Sequence, residues 1–198
     1  KGCAKFSHAN ETAEPGDYSV AFDNGIKTEL TVTSRCGMHA YQYPVHSVHG
    51  LTLDLTTARN WDRTVMTSIK KINNRTIQGY RKSTGWAKEH NVYLDIWAGN
   101  DTLKLLKNGQ KLIANQGYAF IDFGTTTNKV LVKVSLSSAN CEGAAANLDK
   151  ELSHWSFDKV KREAKQQWKR ILSRIKAEGA NKEETRVFYT ALYHAQMS

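Results

Sequence analysis

A change of period constrains this chain more than anything else in it. Up to about residue 136, apolar and polar residues mostly alternate; from about Ala144 onward the apolar residues recur at helical spacing. Alternation puts every second side chain on one face of a strand, whereas steps of three and four residues draw a stripe along a helix. The two parts therefore form different kinds of structure, and the handover falls within 134–175.

The alternating part is regularly punctuated. Asn24-Gly25 sits between apolar-alternating runs at 18–22 and 28–33, a strong hairpin signal because both turn residues tolerate positive φ. Further runs lie at 38–43, 51–55, 64–72, 76–82, 92–97, 103–106, 111–114, 118–123 and 130–136. Breakers separate them: Gly37, Pro44, Asn73-Asn74, Gly85, Gly99-Asn100-Asp101, Asn108-Gly109 and Gly124. About eleven short strands, one every ~10–12 residues, predict an antiparallel β-sandwich. Residues 1–16, with Pro15-Gly16 as a turn, read as an irregular entry.

The tail reads as helix. Phe157, Val160, Ala164, Trp168, Ile171 and Ile175 form one stripe, with Ser156 as N-cap and Gly179 as the residue that ends it. Asn181 and Glu184 have the spacing of a capping box, followed by a second stripe at Val187, Phe188, Ala191, Leu192 and Ala195. The first stripe is expected to pack on the sandwich or on a neighbouring domain. The division is then 1–143, a β-sandwich incomplete at its N-terminus, and 144–198, a helical linker and first helix of a further domain.

Composition narrows the function classes. At 198 residues the chain can bury one good core plus an appendage. Its net charge of +9 raises nucleic-acid binding. Seven of those cations (Lys159, Lys161, Arg162, Lys165, Lys169, Arg170 and Arg174) lie on one helix and read as its solvated face. No zinc-ligand spacing or RNA-binding aromatic motif accompanies them, so no nucleic-acid partner is expected. No apolar run is long enough to span a bilayer. With Lys1 in place of Met, the chain is expected to be a mature or excised piece. Cys3, Cys36 and Cys141 allow one disulfide with a free thiol, or buried thiols alone. Sequons stand at Asn10, Asn74 and Asn100.

Few residues suggest chemistry. His46 and His49, with Asp54 or His39 as a third, could ligate a metal, but the spacing is equally that of polar residues in a loop after Pro44. No nucleophile elbow or phosphate loop is present. Glycoside hydrolysis needs two paired carboxylates. Glu11, Glu14, Glu29, Asp54, Asp95 and Asp122 are scattered, and the three that interrupt strands (Asp54, Asp95, Asp122) are expected to face solvent or meet an arginine. No catalytic residue and no metal ligand is assigned. Trp61, Trp86, Trp97, Tyr80 and Tyr93 could stack on sugars, yet strand aromatics usually pack in the core. Trp86, beside Gly85, suits packing; Trp61, in a loop with Asp62 and Arg63, is the one substrate-contact candidate.

Several blocks together resemble glycoside hydrolase family 92, the calcium-dependent exo-acting α-mannosidases abundant in gut Bacteroides-type bacteria. They are Phe6-Ser7-His8-x-x-Glu11-x-Ala13-x-Pro15-Gly16-x-Tyr18-Ser19-Val20 and Gly25-Ile26-x-x-Glu29-Leu30-Thr31-x-Thr33-x-Arg35-x-Gly37-x-His39. Gly79-Tyr80-Arg81, Gly85-Trp86-Ala87 and Val92-Tyr93 are similar to the next block, and 132–137 with Asn147-Leu148 and Glu151 to the last strand and its exit. Trp168, Leu172, Ile175 and the run 188–194 are similar to the linker helices and the start of the catalytic domain. The family usually has Arg after the His at position 39, where this chain has Ala40.

The resemblance implies an N-terminal sandwich of a periplasmic or extracellular α-mannosidase acting, in many members, on α-1,2 linkages of N-glycans. It also implies that the acid, the base and most ligands of Ca2+ lie in an (α/α)6 domain beyond Ser198, the partner this sandwich needs. On this reading the chain alone is inactive. A free-standing carbohydrate-binding sandwich is the alternative, though such a module has no use for two amphipathic helices with an open stripe.

Overall fold

The computed structural model describes residues 4–58, 61–99, 104–107, 110–111, 117–124, 128–179 and 181–197. A 3-10 turn at His8–Asn10 leads into β1 (Glu11–Glu14), β2 (Asp17–Ala21), β3 (Lys27–Val32), β4 (Cys36–Gln42), β5 (Gly50–Asp54) and β6 (Arg63–Lys71). There follow β7 (Thr76–Thr84), β8 (His90–Ala98), β9 (Lys104–Lys107), β10 (Gln110–Lys111), β11 (Tyr118–Asp122) and β12 (Lys129–Ser137). Helices α1 (Cys141–Glu151), α2 (Phe157–Leu172) and α3 (Lys182–Ala195) close the chain.

The strands form two antiparallel sheets, as the alternation predicts. One has the order β1-β2-β3-β4-β12-β8-β7-β6, the other β10-β9-β11-β5. Tyr41, Tyr43, Ile69, Ile77, Leu94, Ile96, Val130 and Val132 of the large sheet meet Leu55, Ala119, Ile121 and Phe123 in one core. This is the packing of two sheets through their inner faces. The last strand, β12, lies in the middle of the large sheet between β4 and β8, so that sheet is complete only once residue 137 is in place.

A third layer covers the other face of the large sheet. There Cys36, Met38, Ala40, Leu148, Leu152, Phe157 and Val160 make a second core, with Trp97 and Leu131 against it. The central strands are therefore buried on both sides. Their polar residues on the helix side are anchored rather than solvated. Ser135 donates to the Ala144 carbonyl at 2.6 Å, and the Lys133 ammonium donates to the Leu152 carbonyl at 2.5 Å beneath the Trp155 ring. Asp95, expected to face solvent or an arginine, is instead wholly buried and accepts from the Trp97 indole at 2.9 Å. It lies on the face that α1 covers, and its period-two spacing is the same as that of a solvent-facing residue.

The helical region starts earlier than its stripe. The residues that resemble the family's exit, Asn147-Leu148 and Glu151, belong to α1, which Asn140 caps by accepting from Gly143 N at 2.7 Å. The stripe of α2 packs on the sandwich through Phe157, Val160 and Ala164, as expected. Ser156 holds the N-cap position without a side-chain cap, and α2 stops at Leu172, well before Gly179. The basic face is only partly solvated: Lys161 pairs with Asp17 at 2.8 Å, and Lys165 with Glu14 at 2.6 Å. Helix α3 opens on the predicted capping box of Asn181 and Glu184 and buries none of its described residues.

Other expectations are corrected locally. The irregular entry contains β1, paired with β2 across the Pro15-Gly16 turn; the sequence Glu-Thr-Ala-Glu is too short and polar to announce a strand. Gly37 lies inside β4 and does not break it. Cys36 and Cys141 are free thiols, while Cys3, the Asn100 sequon and the Asn108-Gly109 breaker lie outside the described residues. The runs at 103–106 and 111–114 lie partly outside them.

Candidate functional site

The large sheet begins β4 and β8 and ends β12 at one end, and a cleft of about 750 Å³ opens there. Its walls include Val32, Arg35, His39, His90, Val92, Val134, Leu136 and Asn147. The β3–β4 turn at its rim is held by α1: Glu151 accepts from Thr33 Oγ1, from Arg35 N at 2.9 Å and from the Arg35 guanidinium at 3.2 Å. Burial works to raise the Glu151 pKa, but these hydrogen bonds outweigh it and hold the carboxyl below its ordinary value.

His39 shares a hydrogen bond with the Tyr41 hydroxyl at 2.9 Å. Burial lowers its pKa to about 4 and raises that of Tyr41 to about 12, so near neutral pH both are uncharged hydrogen-bonding groups. Among the described residues, no carboxylate lines the cleft. The arrangement can bind and orient polar groups over an apolar floor.

Close by, at the end of β7 and the start of β6, two tryptophans stand clear of the surface. Trp61 is 76% exposed and Trp86 92% exposed, with ring centroids 5.8 Å apart and planes at 79°. Trp86 is thus corrected from core to surface, on the β7–β8 loop. Of the strand aromatics, Trp97 does pack in the core between sheet and helices, and Tyr80 and Tyr93 lie part-buried with rings 5.9 Å apart. Beside the pair, Asp62 bridges Arg81 at 2.6 Å, and Arg81 also donates to Thr64 Oγ1 at 3.2 and 3.0 Å.

The histidine pair is not assembled. His49 is buried and stacked on Tyr43 at 4.8 Å, and His46 is an exposed turn residue with φ 64°. Asp54 is taken up by Thr56 and Thr57; the Thr57 hydroxyl does most to lower its pKa, to about 2, against a smaller opposing effect of burial. Among the described residues, no three His, Cys, Asp or Glu come together as a metal site. Trp61, the substrate-contact candidate, is exposed beside Trp86; sequence reasoning paired neither these two, nor His39 with Tyr41, nor Asp62 with Arg81. The Gly85-Trp86 dipeptide in a breaker position was the available signal.

Residues 2–137 match the family model of the glycosyl hydrolase family 92 N-terminal domain, and residues 143–198 match that of the family 92 catalytic domain. The chain belongs to glycosyl hydrolase family 92. It is 24% identical over 217 aligned positions to an uncharacterized secreted glycosidase of Arthroderma benhamiae, covering 94% of this chain and 28% of that one. Its fold superposes with a TM-score of 0.86 on a family GH92 alpha-mannosidase from Bacteroides thetaiotaomicron, 27% identical over 97% of this chain and 28% of that one. An inverting family GH92 mannosidase of the same bacterium gives a TM-score of 0.77 at 25% identity, covering 96% of this chain and 27% of the other. The chain thus spans 28% of the length of the first relatives it matches. Among the described residues, no helix is long and apolar enough to cross a membrane.

Proposed function

We propose that this chain is the sandwich and leading helices of an exo-acting α-mannosidase that removes terminal mannose, α-1,2-linked, from N-glycan-type oligosaccharides with inversion. The observation that carries the reading is the succession of the two family models, in order, over one structure. Helices α1 and α2 are built into the sandwich, whereas α3 keeps an unburied apolar stripe. That stripe suits a face on which the rest of an (α/α)6 catalytic domain packs, and it disfavours a free-standing carbohydrate-binding module. Secretion to the periplasm or outside the cell belongs to the same proposal, supported by the secreted fungal relative.

Calcium dependence is also part of it. Ca2+ takes about six to eight oxygen ligands, and on this reading most of them lie in the (α/α)6 domain. No acid or base is assigned to this chain.

The test is an aryl α-mannoside assay. The 198-residue chain alone is expected to show no turnover, and the same chain continued through its catalytic domain to release β-mannose in a chelator-sensitive reaction. Turnover by the chain alone, release of the α-anomer, or indifference to chelator would each overturn the corresponding part.

A further inference from the structure

The two loops that carry the exposed tryptophans are packed together through their backbones. A Cβ on Gly85 would come within 2.8 Å of the Trp61 carbonyl oxygen and 3.1 Å of Asp62 Cα, so only glycine lets the two loops approach so closely. The Asp62–Arg81 ion pair ties the Trp61 loop to β7, and a Gly85 N to Ala87 O bond of 3.0 Å closes the loop carrying Trp86. Burial opposes ionisation of Asp62, but hydrogen bonds from Ser83 and Arg81 prevail and keep it charged. The backbones that present the two indoles are thus tied to each other and to β7.

We infer that Trp61 and Trp86 form a preorganised binding corner for the pyranose rings of an α-mannosidic oligosaccharide. A pyranose presents an apolar C–H face and a rim of hydroxyls. One indole can stack under that face while the second, nearly perpendicular to it, closes on the ring's edge or on the next sugar. The Asp62 carboxylate and the exposed His90 ring supply polar groups nearby for hydroxyls, in the pattern of small-ligand sites that combine aromatic walls with a few placed polar groups. A protein partner fits less well. Its docking surface covers roughly 800 Å² with a continuous apolar centre, whereas these two rings are bordered by charged Asp62, Arg63, Lys88 and Glu89. The choice of mannoside rests on the mannosidase reading above; the corner itself rests on its geometry.

The experiment uses the 198-residue chain, with the indole N–H resonances of Trp61 and Trp86 followed during titration with α-1,2-mannobiose and α-mannotriose. Both indoles are expected to shift saturably. W61A and W86A should each weaken binding about tenfold or more, and G85A should weaken it by misaligning the pair. The exposed substitution Val48→Ala, on another loop, should leave the titration unchanged, and circular dichroism of each variant establishes that it is folded. Absence of a saturable shift, or binding that survives in the folded W61A/W86A double variant, overturns the inference. Self-association abolished by W86A but insensitive to sugar overturns it too, in favour of a protein contact. The aryl α-mannoside assay reads the mannosidase reading separately, so failure of one is not failure of the other.

Discussion

Individual residues in this fold are set by what lies over them. Lys133 would be a solvent-facing cation by spacing alone, yet it is 1% exposed, bonded to the last turn of α1 and stacked 4.1 Å from the Trp155 ring. A buried ammonium is tolerable only when paired or bonded in this way. His39 gives a prediction with a definite sign. Its pKa falls from 6.5 to about 4 in the fold because burial disfavours the imidazolium. Between those values the unfolded chain binds the additional proton, so stability is complete above the upper one and is lost as pH falls towards the lower. The loss is at most about 3 kcal/mol. His39→Gln retains a hydrogen-bonding partner for Tyr41 and does not titrate. Urea unfolding from about pH 7 down to about 4.5 should show a shallower decline for the variant, and parallel curves would contradict the assignment.

At the scale of elements, the informative contact is between α2 and the first hairpin. Gly16 has φ 82°, and a Cβ there would lie 2.8 Å from Ala164 Cβ and 3.2 Å from the Trp168 ring. A side chain would be strained in the left-handed region and would also lever α2 off the sheet. Gly16→Ala should therefore cost about 1–3 kcal/mol. It should also speed amide exchange in α2 more than in β7 and β8, on the far side of the sheet. Exchange slowed or unchanged in α2 would show that the close approach is relieved elsewhere. Pro15-Gly16 was legible as a turn; that a helix some 150 positions later would rest on it was not, because one chain records no long-range contacts.

The whole molecule comprises a three-layer body, to which α1 and α2 belong, and a helix α3 attached through few contacts. The Trp168–Tyr193 rings meet at 4.7 Å, and the Tyr189 hydroxyl donates to the Ile175 carbonyl at 3.1 Å. Short isolated helices are marginal in water, so α3 should exchange its amides with an opening free energy near zero while β4, β8 and β12 exchange only through global unfolding. Uniform protection across all three helices would show that α3 is part of the cooperative core. Strand-like alternation, hairpin signals and the Asn181 capping box were legible because they depend on neighbours in sequence, and so were the family blocks. Local spacing cannot state which face of a strand is covered. Asp95, Lys133 and Ser135 alternate like surface residues and are buried because α1 lies over them. Trp86 belongs to a class of residue usually buried, yet it stands exposed on the loop whose Gly85 packs against the Trp61 backbone. The period of the chain follows from each residue's own geometry; burial, the cleft and the tryptophan corner follow from elements brought together across the fold.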